Sequence, residues 1–380
     1  MDKEWTVPFV NYRIQYKQIG EEMLEAVRSV LERGDFILRE DLERFEESFA
    51  QFLGVKYAIG VNSCTDAMRL SLRVAGMNNG QQDIKQVITS SHTFLATLDA
   101  IVDVGGEPIL VDSGEDGNMN TELLSSGIAP FSKAIMPVHL NGRCCNMQDV
   151  MTFAKKHKLV IIEDAAQALG ASYKGKKAGT WGISSCFSFF PAKVLGTVGN
   201  GGMVATNDRE FATKIRWMRD YGRIKGQEQV AGYGYNSRLD NLHAAILNIK
   251  LKYLPQWIQR RRDIANQYDS YLRDIEEIKL PPSPIDSYMT DFYDVYQNYV
   301  IRVKAKDRDD LVSWLIGQDI EVMVSWRTPL HKQKALGLEH FKLPVTEQIC
   351  SEVISLPMYP ELTDNQVEYV CKKIKEYYRR

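Results

Sequence analysis

Apolar residues recur at helical spacing through the first fifty residues of the chain. The segment 19–34, IGEEMLEAVRSVLERG, places them three and four residues apart, which predicts an amphipathic helix that ends at Gly34. The same spacing in EDLERFEESFAQFLG predicts a second helix, which ends at Gly54. After it, YAIGVNS is typical of a strand that enters a turn, and TDAMRLSLRVAG predicts the next helix.

From residue 86 to residue 208 the pattern changes to short apolar runs that alternate with helical segments. These runs are QVITSS, EPILVD, KAIMPVH, KLVIIEDAA, SCFSFF and GGMVATND. Most are rich in β-branched residues and are continuously apolar, which indicates strands buried on both faces of a sheet. The pattern therefore predicts an α/β fold whose large domain holds a mostly parallel sheet between helices.

The composition changes near residue 250, which predicts a second and smaller domain. LKYLPQWIQRRRDIANQYDSYLRDI predicts a long, charged helix, and KLPPSPIDS predicts an irregular connection because it is rich in Pro and Ser. Two strands, YQNYVIRV and IEVMVSW, are predicted after it. We therefore divide the 380 residues into a large ligand-binding domain, 1–250, which includes the N-terminal helical segment, and a small C-terminal α+β domain, 251–380.

The overall composition excludes several classes of function. The 47 Lys and Arg residues balance 49 Asp and Glu residues, so the net charge of −2 shows no bias toward nucleic acid or an anionic membrane. No run approaches the roughly 20 apolar residues of a membrane span, and the first residues lack an apolar signal region. The six cysteines and six histidines lack disulfide or metal-ligand spacing, so we expect free thiols, no metal and a cytoplasmic protein.

One lysine and one aspartate stand out in apolar surroundings. Lys193 lies in SFFPAKVLGTVGNGG, an apolar run that breaks into glycines. It could be a surface lysine whose amine extends to water, or it could be a buried reactive amine. Asp164 ends the apolar run KLVIIED, where it could cap the following helix or act at the edge of the sheet.

Further chemical groups occur at the ends of other predicted strands. GVNSCTDA opens a helix whose free N–H groups could bind a phosphate, although Thr65 or Asp66 could simply cap it. Phe94 follows another strand, and Ser188 lies five residues before Lys193. A lysine, an acid, an aromatic ring and a phosphate cradle are together the groups that pyridoxal phosphate requires.

Longer segments of the chain resemble the DegT-type sugar aminotransferases, which are fold-type I pyridoxal phosphate enzymes. The resemblance is carried, in the family's order, by GDFILREDLERFEESFAQFLGVKYAIGVNSCTDAMRLSL, SSHTFLATLDAI, MPVHLNGR, EDAAQALGASYKGKKAGTWG, SFFPAKVLGTVGNGGMVAT, GYGYNSRLDNLHAAIL, PLHKQ and SLPMYPELTDNQ. It implies a fold-type I aminotransferase with pyridoxal 5'-phosphate. The implied reaction aminates a keto group on a nucleotide-linked deoxysugar, with glutamate as amino donor, for a surface polysaccharide or a glycosylated metabolite.

The resemblance also implies a role for each matching residue. Lys193 matches the lysine that forms the Schiff base, and an apolar setting suits it because desolvation keeps its free amine partly neutral. Asp164 matches the acid at the pyridine nitrogen. The other matches are Gln167 facing the ring hydroxyl, Phe94 stacking on the ring, and Thr65, the backbone at Cys64 and Ser188 holding the phosphate. Asn236 matches an asparagine that reaches the partner subunit's phosphate, which implies a homodimer with shared active sites; Arg238 lies beside it in the same motif, with its role open.

Three departures from the family pattern stand beside these matches. Cys64 replaces a glycine, Asn200 replaces an aspartate in the loop after the lysine, and NNGQQDIKQVI replaces a less polar loop. None of them removes a group that transamination needs, so tolerated substitution and altered substrate contacts both stay open. Related sugar dehydratases carry histidine at the lysine position, and a non-catalytic regulator would not need Lys193 or Asp164; both alternatives are therefore disfavoured.

Overall fold

The computed structural model of the protein describes residues 4–77, 85–285 and 290–379. Its helices are α1 (Tyr12–Arg33), α2 (Glu40–Leu53), α3 (Cys64–Val74), α4 (Ala96–Asp103), α5 (Met147–His157), α6 (Arg209–Met218), α7 (Asn241–Leu272), α8 (Ala305–Gly317), α9 (Pro344–Glu352) and α10 (Asp364–Tyr378). Its strands are β1 (Tyr57–Val61), β2 (Lys85–Ser90), β3 (Gly106–Val111), β4 (Ser132–Ile135), β5 (Val160–Asp164), β6 (Ser172–Tyr173), β7 (Lys176–Lys177), β8 (Ser184–Ser188), β9 (Gly202–Thr206), β10 (Ile278–Lys279), β11 (Phe292–Tyr293), β12 (Tyr299–Val303) and β13 (Val353–Leu356).

A seven-stranded sheet of order β1-β9-β8-β5-β4-β2-β3 forms the centre of the molecule. Neighbouring strands from β8 to β3 in this order are parallel, and β9 runs antiparallel to both β1 and β8. Two separate buried clusters cover the sheet, one with residues of α2, α5 and α7 and the other with residues of α3, α4 and α6. The predicted α/β fold, with a mostly parallel sheet between helices, is confirmed.

The two N-terminal helices end where the glycines predict. Gly34 and Gly54 follow α1 and α2 with φ of 69° and 88°, a left-handed conformation that glycine adopts without strain. Helix α1 begins seven residues earlier than predicted, because Asn11 caps it by accepting the Ile14 N–H at 3.3 Å. The apolar stripe does not mark this first part of the helix, since Tyr12 and Tyr16 are exposed.

The C-terminal part packs around its own small sheet of order β10-β12-β13. Helix α7 joins the two parts, because Leu247 and Leu251 pack in the core of the large sheet and Ile264 and Tyr268 pack in the C-terminal core. The division proposed between residues 250 and 251 therefore falls within one continuous helix, and it stays a prediction.

The predicted strand IEVMVSW is wrong. Residues 320–326 make only two isolated bridges, Ile320 with Val7 and Met323 with Ser355, and the third strand of the small sheet is β13. The buried Ile320 and Val322 produce the apolar pattern of a strand, but the segment does not keep a regular ladder with its neighbours.

Three further observations concern the sequence predictions. All six cysteines are buried free thiols, as expected. Within the described residues, no helix has the length and apolar character that crossing a bilayer requires. The polar loop NNGQQDI, residues 78–84, lies outside the described residues.

Candidate active site

The candidate residues meet at the carboxyl edge of the large sheet. Strand β5 ends at Asp164, β8 ends at Ser188 just before Lys193, and β2 leads to Phe94. Strands β5 and β8 are parallel neighbours, so their ends emerge side by side. The carboxyl ends of parallel strands form the usual ligand-binding edge of an open α/β sheet.

Asp164 is only 4% exposed and has its two carboxylate oxygens fixed by different donors. Oδ2 accepts the Thr97 hydroxyl at 2.8 Å, and Oδ1 accepts the Ala166 N–H at 3.2 Å. Burial raises the pKa of Asp164, while the bonds from Thr97 and Ala166 and the charge of Lys193 oppose the rise. No helix follows the strand in residues 165–171, so the interpretation of Asp164 as a helix cap is wrong.

Lys193 lies in a tight turn that follows β8. Its backbone N–H donates to Phe190 O at 2.9 Å, and the turn points its side chain toward Asp164 and Cys64. Burial lowers the pKa of Lys193, although electrostatic interactions with Cys64 and Asp164 raise it in part. The amine is therefore directed into the protein, and the alternative of an amine extended to water is wrong.

The turn between β1 and α3 presents backbone N–H groups at the same edge. Ser63 caps α3 by accepting the Asp66 N–H at 3.1 Å, which leaves Cys64 and Thr65 as the first two helical residues. The N–H groups of a first helical turn have no intrahelical acceptor and can bind an anion. Gly202 abuts this turn, since an added Cβ there would lie 2.7 Å from Cys64 N.

Cys64 and Ser188 complete the groups near the turn. Cys64 occupies a helical position, so its side chain causes no backbone strain where the family pattern has glycine. Burial raises the pKa of the Cys64 thiol well above its usual value, which keeps the thiol neutral at neutral pH. Ser188 ends β8, and its Oγ accepts the Phe190 N–H at 3.3 Å. Asn200 lies exposed in the loop beyond Lys193.

Phe94 and Gln167 lie close in the chain to residues of this edge, since Phe94 precedes Thr97 by three residues and Gln167 follows Asp164 by three. Phe94 is 61% exposed, and its ring lies 6.4 Å from the ring of Trp326, so it presents a free aromatic face. Gln167 is buried, and its Oε1 accepts the Asn141 N–H at 2.8 Å. The Gln167 amide nitrogen is the donor that can face a ligand in this arrangement.

Asn236 is exposed on the segment that precedes α7. The N-cap residue of α7 is Asp240, so Asn236 does not cap this helix. The next residue, Ser237, donates its hydroxyl to Asp66 Oδ2 at 2.8 Å. The segment is therefore attached to the first turn of α3, although the side chain of Asn236 remains accessible.

Sequence reasoning missed the buried groups that support these residues. Glu163 accepts the N–H groups of Gly179, Trp181 and Gly182, each at 2.7 Å. Glu163 also lies 2.9 Å from Nε2 of His139. The other ring nitrogen of His139, Nδ1, accepts the Cys145 N–H, so the ring proton is on Nε2. The signal in the sequence was a charged residue inside an apolar strand, one position before Asp164.

Comparison with known proteins places the chain in a family. The sequence model of the DegT/DnrJ/EryC1/StrS aminotransferase family matches residues 17–375. The chain belongs to this family. Members of the DegT family that act as aminotransferases use pyridoxal 5'-phosphate.

Individual members of the DegT family are similar over nearly their whole length. The chain is 39% identical to the dTDP-3-amino-3,6-dideoxy-alpha-D-galactopyranose transaminase of Aneurinibacillus thermoaerophilus, covering 98% of this chain and 99% of the relative. It is 38% identical to the pleiotropic regulatory protein of Geobacillus stearothermophilus, with coverage of 98% and 99%. The crystal structure of S. venezuelae DesV in complex with a ketimine intermediate superposes with a TM-score of 0.92 at 35% identity, covering 98% of this chain and 99% of DesV.

The residues at the sheet edge fit the DegT-family cofactor. The Lys193 amine and the buried Asp164 carboxylate are close enough for their charges to interact, the Phe94 side chain is exposed, and α3 begins at the same edge of the sheet. The tight approach of Gly202 to the α3 turn would exclude any side chain there. These groups match the aldehyde, ring nitrogen, ring face and phosphate of pyridoxal 5'-phosphate in chemical type.

Proposed function

We propose that this protein transfers an amino group to the keto carbon of a nucleotide-linked deoxysugar. One observation carries the proposal: the Lys193 amine and the buried Asp164 carboxylate lie close enough at the carboxyl edge for their charges to interact, in a chain of this family. The 39% identical relative is named for transamination of a dTDP-linked 3-amino sugar, which supports the same substrate class here.

Under this proposal five residues hold the cofactor in fixed orientations. The first turn of α3, at Cys64 and Thr65, binds the phosphate together with Ser188. Phe94 stacks on the ring, and the Gln167 amide donates to the ring hydroxyl. When bound, the cofactor supplies an aldehyde carbon that reacts with amines and a ring that accepts electrons.

Lys193 and Asp164 carry the proton chemistry in this proposal. The lowered pKa of Lys193 lets its Nζ act as a base, which would remove a proton from the donor's α-carbon and return it two atoms further on, to the carbon beyond the amino nitrogen. Asp164 keeps a proton on the ring nitrogen through a charge-assisted hydrogen bond. Its own bonds from Thr97 and Ala166 hold the carboxylate in place for this contact.

Two other functions are compatible with the fold, and a relative favours one of them. The similarity to the pleiotropic regulatory protein supports a regulator that keeps the fold. A regulator does not need an amine of lowered pKa close to a buried carboxylate, whereas an aminotransferase does. A sugar dehydratase of this type would have histidine at position 193, where this chain has Lys193.

We further propose glutamate as amino donor and a cytoplasmic homodimer as the active form. Apolar side chains on the loops after Lys193 and before α7, and just before Lys193, are exposed on the single chain, among them Phe190, Val198, Val230 and the fully exposed Tyr233. Exposed apolar surface of this kind supports contact with a second copy. In such a dimer, the accessible Asn236 would reach the partner's phosphate site.

A substrate panel tests the proposed reaction. Purified protein with pyridoxal 5'-phosphate is incubated with glutamate and with 3-keto or 4-keto nucleotide sugars, and products are detected by mass. We expect an amino-sugar product from at least one keto-sugar, and none from the Lys193→Ala variant. A protein that binds no cofactor, or is labelled by borohydride at a lysine other than Lys193, would contradict the proposal.

Mixing of two inactive variants tests the shared site. Lys193→Ala and Asn236→Ala chains are allowed to exchange, so that heterodimers carry both defects in one site and neither in the other. Each heterodimer should then have half the activity of a wild-type dimer. Lys193→Ala mixed with Asp164→Asn is the matched control, since both residues belong to one chain's site and no activity should return. Lack of recovery with Asn236→Ala, after exchange is verified, would place Asn236 in its own chain's site.

A further inference from the structure

The backbone on both sides of Lys193 is held by one side chain from the C-terminal part of the protein. Gln297 Nε2 donates to Ala192 O at 2.8 Å, and Gln297 Oε1 accepts the Val194 N–H at 2.7 Å. The side-chain amide therefore pairs with the residues immediately before and after Lys193. It forms the same two bonds that a neighbouring strand would form.

This pairing requires an amide at position 297. Ala192 O requires a hydrogen-bond donor and the Val194 N–H requires an acceptor, so the amide nitrogen and the amide oxygen of Gln297 cannot exchange places. Gln297 is 7% exposed, so water does not readily replace either bond. Among uncharged side chains of this length, only glutamine offers both groups in one plane.

Gln297 is itself held in place from helix α7. Arg261 Nη1 donates to Tyr296 O at 3.1 Å, to Gln297 O at 3.3 Å and to Met358 O at 3.0 Å. A buried guanidinium with several carbonyl acceptors fixes the backbone that it contacts. The position of Gln297 is thereby set by the C-terminal core rather than by the lysine turn.

The other end of the lysine turn has a separate anchor. Lys250, also on α7, donates its amine to Gly196 O at 2.7 Å. Lys193 thus emerges from a turn whose neighbouring peptide groups are bound at Ala192, Val194 and Gly196. The bonds from Gln297 are the ones adjacent to Lys193.

We propose that Gln297 is a positioning residue for Lys193, and that it sets where the lysine amine lies relative to Asp164. The inference rests on the proposed function and deepens it, since it names a residue that acts on the reaction through the lysine. Without the two bonds, the Ala192–Val194 backbone has more conformations, and the amine spends less time at the reacting carbon. The effect therefore falls on kcat and on covalent attachment of the cofactor, and KM for the sugar changes little.

The test compares Gln297→Met, which removes both bonds, with Gln297→Glu, which keeps the shape and the acceptor but loses the donor. For each folded protein, the rate at which added pyridoxal 5'-phosphate attaches to Lys193 is followed by its visible absorbance, and borohydride trapping identifies the lysine. We expect attachment and kcat to fall about tenfold in Gln297→Met, which corresponds to about 1.4 kcal/mol. KM for the keto-sugar should stay within about twofold.

Tyr268→Phe is the matched control. It removes another buried hydrogen bond of the C-terminal core, from the Tyr268 hydroxyl to Pro357 O at 3.0 Å, without touching the lysine turn. It should lower the melting temperature but leave the attachment rate unchanged. If both Gln297 variants attach the cofactor at the wild-type rate and have the wild-type kcat, the inference is overturned but the proposed function is not. Failure of wild type to attach the cofactor at Lys193 would overturn the proposed function, and the inference with it.

Discussion

Replacement of Asp164 by asparagine separates the charge of this residue from its shape. In the Asp164→Asn variant, Oδ1 can still accept the Ala166 N–H, and Nδ2 can donate to Thr97 Oγ1. Thr97 can then donate to Thr93 Oγ1, which lies 2.8 Å away. The local hydrogen bonds are therefore kept, with the Thr97 hydroxyl now accepting from residue 164 and donating to Thr93, and the fold should not change.

The expected loss of activity follows from the lost charge. Two unit charges about 4 Å apart interact by roughly 4 kcal/mol at an effective dielectric constant of about 20. A neutral amide retains about 1 kcal/mol of ordinary hydrogen bonding, so about 3 kcal/mol of support for the ring proton is lost. We therefore expect the rate of amino transfer to fall by about a hundredfold to a thousandfold.

The same substitution should not weaken the fold of the cofactor-free protein. Burial raises the pKa of Asp164 from its ordinary value of 3.8, so the folded state holds the proton more tightly than the unfolded state does. The resulting stability is fully present below the ordinary pKa and is lost as the pH rises through the raised pKa. Near neutral pH, Asp164→Asn should therefore be as stable as the wild type or more stable.

Single-turnover kinetics and thermal melting measure these two effects separately. The rate of the glutamate half-reaction is compared in wild type, Asp164→Asn and Thr97→Val, and the cofactor-free proteins are melted at several pH values. Thr97→Val removes one neutral donor to Asp164 and should cost only about fivefold in rate. A rate for Asp164→Asn within a few-fold of wild type would refute the assignment of the ring proton to Asp164.

Three further predictions concern residues around the same edge. Lys193→Ala should abolish turnover and borohydride labelling but keep a wild-type circular dichroism spectrum; labelling of another lysine would contradict the assignment. Glu163→Gln should lower the free energy of unfolding by about 3 kcal/mol in urea titrations, because an amide cannot accept all the N–H groups that Glu163 accepts. An unchanged urea midpoint would show that these N–H groups find other acceptors. Burial raises the pKa of the Cys64 thiol, so iodoacetamide near neutral pH should modify Cys64 far more slowly in the folded than in the unfolded protein, and equal rates by peptide mapping would exclude this.

The strands of the large sheet could be predicted because they are buried on both faces. Such strands have continuous apolar runs, and their ends can be located from the first polar residue, as at Asp164. The small sheet gave weaker signals. Strand β13 has only four residues, and the apolar alternation at Ile320 and Val322 comes from packing rather than from a ladder.

Part of the candidate site could be predicted because its residues lie in local motifs at strand ends. Lys193, Asp164 and the α3 turn are of this kind. Gln297 is not, since it contacts Val194 across 103 positions of the chain, and no local spacing indicates that contact. Thr97 likewise reaches Asp164 across 67 positions, so the support of the site depends on how the sheet and the C-terminal core assemble.

Asp164 and Lys193 each cost free energy as charged groups in the cofactor-free protein, but together they suit a cofactor. Burial disfavours the charged forms of both Asp164 and Lys193, which is why one pKa is raised and the other lowered. A group that joins covalently to Lys193 and places a cationic N–H beside Asp164 removes both penalties. Cofactor binding should therefore stabilise the fold, by about 2.7 kcal/mol at about 100 times Kd, and Asp164→Asn should lower the affinity and reduce this gain at the same cofactor concentration. An equal rise in melting temperature for wild type and Asp164→Asn, at subsaturating cofactor, would show that Asp164 does not contribute to this stabilisation.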